Sequence, residues 1–215
     1  MGKRDDGLLQ FFTECYTPAA IGLVGAKNEI GTAIREAQSA VTVDGKASLW
    51  SHCFILGDLR LDRRGPGGTT MKSPYLFESD LKVRPFKPQL RNGVQENWIG
   101  KWCNKDVENA AVIDFGLCRE EKDKILATAL QLVDEQVRYP IQELLGTWWA
   151  IIVGKRWMPN PLDDPHAVYC SSFVRLCYRE AEKDFLDDRI DVSNTTPEDI
   201  AQAGIRAKVM RFYEP

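Results

Sequence analysis

The apolar residues of this chain change their spacing irregularly along its length, and that irregularity narrows the folds open to it. Short β-like runs and longer helix-like runs follow one another without the strand–helix–strand alternation of a parallel sheet, which predicts an α+β fold. The run Leu49 to Gly57 (LWSHCFILG) is short, aromatic and β-branched, and reads as a strand. Tyr75 to Val83 and Ala110 to Phe115 read as two more. Between the first two, Asp58 to Pro74 contains Arg63-Arg64-Gly65-Pro66-Gly67-Gly68-Thr69-Thr70, whose Gly and Pro content predicts a surface loop. Residues 1–17 form an appendage with a short helix around Leu8 to Phe12.

Helical periodicity marks the remaining segments. From Lys27 to Ala40, Ile30, Ala33, Ile34 and Ala37 recur at the spacing of one helix face. A longer helix is predicted from Glu120 to Arg138, with an apolar face of Ile125, Ala129, Leu132, Val133 and Val137. Its acids stand at the start and Arg138 at the end, matching the helix dipole, and Pro140 ends it. Ile141 to Val153, with Trp148 and Trp149, reads as buried, as helix or strand alike. Met158 to Pro165 is a proline-rich turn leading into a helix from Tyr169 to Lys183. Thr196-Pro197-Glu198-Asp199 begins another helix, for which Gly204 is a natural stop, and Ala207 to Tyr213 reads as a last strand.

Nothing divides the 215 residues, so a single domain over 1–215 is expected. Lys and Arg total 28 against 31 Asp and Glu, a net charge of −3 that offers polyanions no field, so a nucleic-acid surface is not expected. No stretch has the roughly 18 apolar residues of a membrane span, and no signal-peptide core or myristoylation pattern is present; a cytoplasmic protein is the expectation. The six cysteines form no C-x-x-C pair, and His52 and His166 form no H-x-x-x-H pair, so neither zinc nor another cofactor is expected. Without export signals the thiols are expected reduced.

One cysteine has a position suited to chemistry. Cys170, Phe173, Val174, Cys177 and Ala181 share one face of the helix after the turn, with Arg175, Arg179, Glu182 and Lys183 on the other side. Cys170 is the first of the inward face, where the free N–H groups and the positive dipole end favour thiolate and can bind an oxyanion. It can equally be the start of a buried stripe, which is the reading for Cys177. A nucleophilic thiol needs a base. His52 lies inside an apolar strand, on a face shared with Trp50, Phe54 and Leu56, where an ionisable ring needs a partner. His166, in its polar turn, is the weaker candidate. Glu78 on the next strand could orient the ring, ahead of Asp58 and Asp80, although a solvated strand acid fits the same pattern.

These residues are similar to those of a known family. Ser51-His52-Cys53-Phe54-Ile55-Leu56-Gly57 resembles the "SH-x-(apolar)3-G" strand of circularly permuted papain-like hydrolases, the YiiX/YaeF-like branch of the NlpC/P60 superfamily. Tyr169-Cys170-Ser171-Ser172-Phe173-Val174 resembles that family's nucleophile motif. Arg138-Tyr139-Pro140-Ile141 and Asn194-Thr195-Thr196-Pro197-Glu198-Asp199-Ile200 resemble two further elements, so that the likeness spans about residues 18–203. In that branch His precedes Cys, as here. Family members often carry Glu two residues after the Cys, where this chain has Ser172.

The resemblance implies a papain-like fold, with a small antiparallel, barrel-like sheet packed on helices, Cys on a helix and His on a facing strand. It implies a cysteine hydrolase, an amidase or peptidase, cleaving an amide bond in a peptide or a cell-wall-type γ-linked peptide without cofactor. Cys170 is then the nucleophile, His52 the base and Glu78 its orienting acid. Backbone N–H groups of Cys170 and Ser171 are expected to bind the oxyanion, and Tyr169 and Ser172 to contact substrate. Two other functions fit the same residues. One is an acyltransferase or lipid-acyl hydrolase, with the aromatic residues around Trp98 to Trp102 and Trp148-Trp149 lining an acyl groove. The other is a binding module that keeps only the scaffold.

Overall fold

The computed structural model describes residues 5–62, 71–81, 92–137, 156–157 and 168–214. Among them the chain forms five α-helices and six strands, an α+β arrangement. In chain order these are α1 (Asp6–Glu14), β1 (Ile21–Ala26), α2 (Glu29–Ala37), β2 (His52–Asp62), β3 (Met71–Leu81), β4 (Asn92–Trp98), β5 (Val107–Ile113), α3 (Arg119–Asp134), α4 (Cys170–Glu180), α5 (Pro197–Ala207) and β6 (Met210–Phe212). The strands make one sheet in the order β4-β3-β2-β1-β5-β6, and every pair in it is antiparallel. No described helix is long and apolar enough to cross a membrane.

β1 is buried along its whole length because it lies between β2 and β5 with both faces covered. The alternation of side chains along the strands sorts the core into two clusters. Ile21, Leu23, Cys53, Ile55, Phe77, Ala111 and Ile113 meet Ile125 and Ala129 of α3, Phe173, Val174 and Cys177 of α4, and Ile200 of α5. Val24, Phe54, Leu56, Leu76, Ala110 and Val112 meet Leu8, Leu9 and Phe12 of α1. The expected N-terminal appendage is thus part of the second core.

Several expectations need correction. β1 and β4 carry no strand pattern that the sequence reading used, because β1 (IGLVGA) holds two glycines and β4 (NGVQENW) is mostly polar. The glycine at 22 has a packing reason: a Cβ there would stand 2.0 Å from Cε2 of Phe54, whose ring occupies that space. The segment expected as loop from Asp58 is still strand to Asp62, with Leu59 opposite Pro74 and Arg60 opposite Ser73. α2 does not bury the apolar face expected of it. Ile30 is 59% exposed, whereas Gly31 and Gln38 are buried, Gly31 lying against the Ala26 carbonyl and Gln38 donating to the Trp50 carbonyl at 2.7 Å.

Three single residues also differ. Gly204 does not stop the last helix; it lies inside α5, where a Cβ would meet Ile113 Cδ1 at 2.7 Å, and the helix ends instead at Lys208 in the left-handed conformation. Arg175, expected on the solvent side of α4, is 1% exposed. Its guanidinium is spent on Asp184 at 3.0 Å and on the carbonyl of Ile190, which secures the loop after α4. Trp50 lies in the first cluster rather than with Phe54, because β2 starts at His52 and the strand alternation does not extend back to it. The predicted features at 63–70, 138–155 and 158–167, including Trp148, Trp149 and His166, lie outside the described residues.

Candidate active site

α4 starts where its first turn can be held firmly. Tyr169 is the extended N-cap residue, and its backbone N–H donates to Ser172 Oγ at 3.0 Å. The Tyr169 phenol is set between the carbonyls of Ser193 (2.6 Å) and Thr195 (2.9 Å), and Ser171 Oγ donates to the Thr195 carbonyl at 2.8 Å. Cys170 is therefore the first helical residue of an anchored turn, 5% exposed, at the positive end of the helix dipole. Tyr169 and Ser172, expected at substrate, are buried and committed to this anchoring. The Ser171 hydroxyl is committed in the same way, which leaves its backbone N–H in the first turn of the helix.

His52 opens β2, opposite Val24 of β1. Its Nε2 lies 2.8 Å from Oε2 of Glu78, and its ring stacks on Trp102 with centroids 4.6 Å apart. The Cys170 sulfur is near enough to the imidazole to act directly on its titration. With Nε2 engaged by the carboxylate, Nδ1 is the nitrogen that remains to exchange a proton with the thiol. The three residues expected to act together are brought together.

Glu78 is fully buried and accepts from more than the histidine. Trp102 Nε1 donates to Oε2 at 2.9 Å, Asn97 Nδ2 to Oε1 at 2.7 Å, and Lys101 Nζ to Oε1. Lys101 also bonds Asp80. Burial opposes the charge on Glu78, but the His52 hydrogen bond and the Lys101 ammonium outweigh it and hold the carboxyl at about 2. Asp80, the rival acid, serves Lys101, and Asp58 is exposed.

Cys170 and His52 favour each other's charged forms. Burial disfavours a charged His52, yet the Cys170 sulfur and the Glu78 carboxylate outweigh it and raise the imidazole to about 10. The neighbouring Cys53 thiol is the strongest influence lowering the pKa of the Cys170 sulfur. Burial works against it, and the charge of His52 adds to the lowering, so the thiol titrates well below its ordinary range. Both shifts run in the direction of a thiolate–imidazolium pair. Cys177, by contrast, is fully buried, and burial pushes its thiol up.

Sequence reasoning did not assign roles to Lys101, Asn97, Cys53 or, beyond a groove, to Trp102. Asn97 reaches Glu78 from β4, which pairs antiparallel with β3 and sets Glu78 opposite Gln95, and Lys101 and Trp102 reach it from the turn after β4. Cys53 was visible as the neighbour of His52, but its meeting with Cys170 is a tertiary event. Among the described residues no group of three or more His, Cys, Asp and Glu side chains is placed to hold a metal ion. The chain matches no known protein-family profile and no curated protein.

Proposed function

We propose that this protein is a cysteine-dependent amide hydrolase of the permuted papain-like kind, acting on a peptide or a cell-wall-type γ-linked peptide. The observation that carries the reading is a histidine whose Nε2 is held 2.8 Å from a buried carboxylate, with a thiol on the first turn of a helix close enough for each to favour the other's charged form. An inert core cysteine has no need of that partner, and a buried carboxylate saturated with donors has no need of a histidine to satisfy it. The order of His before Cys, and a helix packed on an antiparallel sheet, agree with the permuted fold.

The Cys170 thiolate attacks the carbonyl carbon, and the charge moves to the oxygen, which the backbone N–H groups of Cys170 and Ser171 bind. Collapse expels the amine, which takes its proton from His52. The thioester is then attacked by water, whose proton passes to the now neutral His52, and release of the acid restores the thiolate–imidazolium pair. Glu78 holds the ring in orientation and supports its charge in both steps, while Lys101 and Trp102 hold Glu78.

Labelling with a thiol-directed activity probe, followed by turnover on substrates found by profiling, tests this. Cys170 is expected to label near neutral pH ahead of the other cysteines, and Cys170→Ala to abolish turnover. His52→Ala is expected to cost nearly as much, and the double variant little more than either alone. Turnover by Cys170→Ala at the wild-type rate sinks the mechanism. Added amines that divert the acyl group separate transfer from hydrolysis in the same assay.

A further inference from the structure

We infer that Cys53 is a resolving cysteine for Cys170, so that a peroxide reaching the site converts the pair into a reversible Cys53–Cys170 disulfide. The placement of the two sulfurs supports this. Cys53 is fixed on β2 by its pairing with Leu23 and points to the face that packs α4, and both cysteines belong to the same buried cluster. Both are free thiols on facing layers of that cluster, and each is among the groups that act most strongly on the other's titration, as neighbouring sulfurs do. Cys177, in the same cluster, makes no such contact with Cys170 that bears on its titration. A nucleophilic thiolate with a second cysteine already against it is the arrangement of a peroxide-sensitive pair.

The chemistry balances with one peroxide. The Cys170 thiolate attacks one peroxide oxygen, the O–O bond breaks, and hydroxide leaves, giving a sulfenic acid at Cys170. The Cys53 sulfur then attacks the Cys170 sulfur, the S–O bond breaks, and the oxygen leaves as water after taking a proton. The proton that Cys53 gives up goes to the departing oxygen, with His52, beside the Cys170 sulfur, able to relay it. In sum, two thiols are oxidised and one peroxide is reduced to two waters. The first step also removes an obstacle to the second. Burial holds the Cys53 thiol protonated, and the negative charge of Cys170 adds to that hold; a neutral sulfenic acid no longer carries the charge.

The link does not depend on what Cys170 does to substrates; only its consequence, a reversible loss of turnover, rests on the hydrolase reading. The experiment treats the full chain with limiting hydrogen peroxide near neutral pH, alkylates free thiols, and reads intact mass and mapped peptides. The expected result is a loss of two hydrogens, a crosslinked peptide joining Cys53 to Cys170, and return of probe labelling at Cys170 after dithiothreitol. In Cys53→Ala, Cys170 is expected to go on to sulfinic or sulfonic acid, with labelling not restored. Over-oxidised Cys170 in the wild-type chain without the crosslink, or a crosslink from Cys170 to another cysteine, overturns the proposal. The wild-type crosslink needs no variant to fold. A chain that forms the crosslink but turns over no amide contradicts the hydrolase alone.

Discussion

Glu78 gathers donors from four side chains, and three of them belong to the segment between Asn97 and Trp102. That concentration makes the carboxylate, more than the histidine itself, the fixed point of the site. Glu78→Gln keeps the size and one acceptor but removes the charge, and it turns an N–H group toward donors, of which Lys101 keeps Asp80 as a second acceptor. The expected loss of kcat/KM is on the order of 10- to 100-fold, because an amide still orients the ring but does not stabilise its charge. The pH profile gives a sharper reading. Glu78 is one of the groups that raise His52 to about 10, so its neutralisation lowers that value. The alkaline limb of kcat/KM, set by loss of the imidazolium proton, should lie near 10 in the wild type and move to lower pH in Glu78→Gln. A limb that stays in place would show that the carboxylate does not act through the ring.

At the scale of elements, the packing of α1 and β1 around Phe54 connects the site to its support. Phe54 follows His52 by two residues on the same strand face, and its ring lies over Gly22 and against Phe12 of α1 with centroids 5.7 Å apart. Phe12→Ala removes a fully buried ring and is expected to cost about 3–5 kcal/mol, read from the denaturant midpoint. Gly22→Ala should be destabilising as well, since its Cβ needs the space of the Phe54 ring, and overpacking costs typically about 1–3 kcal/mol. Tolerance of Gly22→Ala without loss of stability would mean that Phe54 has somewhere else to go. These same contacts explain what could be read from the sequence. The starts of β2, α4 and α5 are written in local chemistry: an apolar β-branched run, a turn followed by one helical face, and a Thr-Pro cap. His52 and Cys170 were legible because each stands at such a start. β1 was not, because its glycines depress strand propensity and their reason is a ring thirty-two positions away, from Gly22 to Phe54. The Trp102 stack on His52 and the burial of Arg175 belong to the same class, partners that only the assembled sheet and loop define.

For the molecule as a whole, the site ties stability to pH in a way that can be worked out from its three ionisable members. Glu78 is held at about 2 against an ordinary 4.5, so its contribution is present above 4.5 and is lost as pH falls through 2. His52 is raised from 6.5 to about 10, so its contribution is complete below 6.5 and is lost as pH rises through 10. Cys170 is lowered from 9.0, so its contribution is complete above 9.0 and is lost as pH falls toward its folded value. Between 6.5 and 9.0 the last two run in opposite directions, because the unfolded chain carries one proton on the thiol and the folded chain carries one on the imidazole. Proton counts then match, and the slope vanishes. Below 6.5 the unfolded chain binds the extra proton and stability declines, with a further decline below 4.5 from Glu78. Above 9.0 the folded chain holds the extra proton and stability declines again, in the direction that the buried Cys53 and Cys177 thiols also push. Thermal unfolding followed across this range should therefore show a flat Tm from about 6.5 to 9.0 with a fall on each side. Glu78→Gln should lose its own part of the fall below 4.5. A Tm that falls steadily from 6.5 to 9.0 would mean that the folded chain keeps a proton on Cys170 as well as on His52, and the ion pair at the centre of the site would have to be given up.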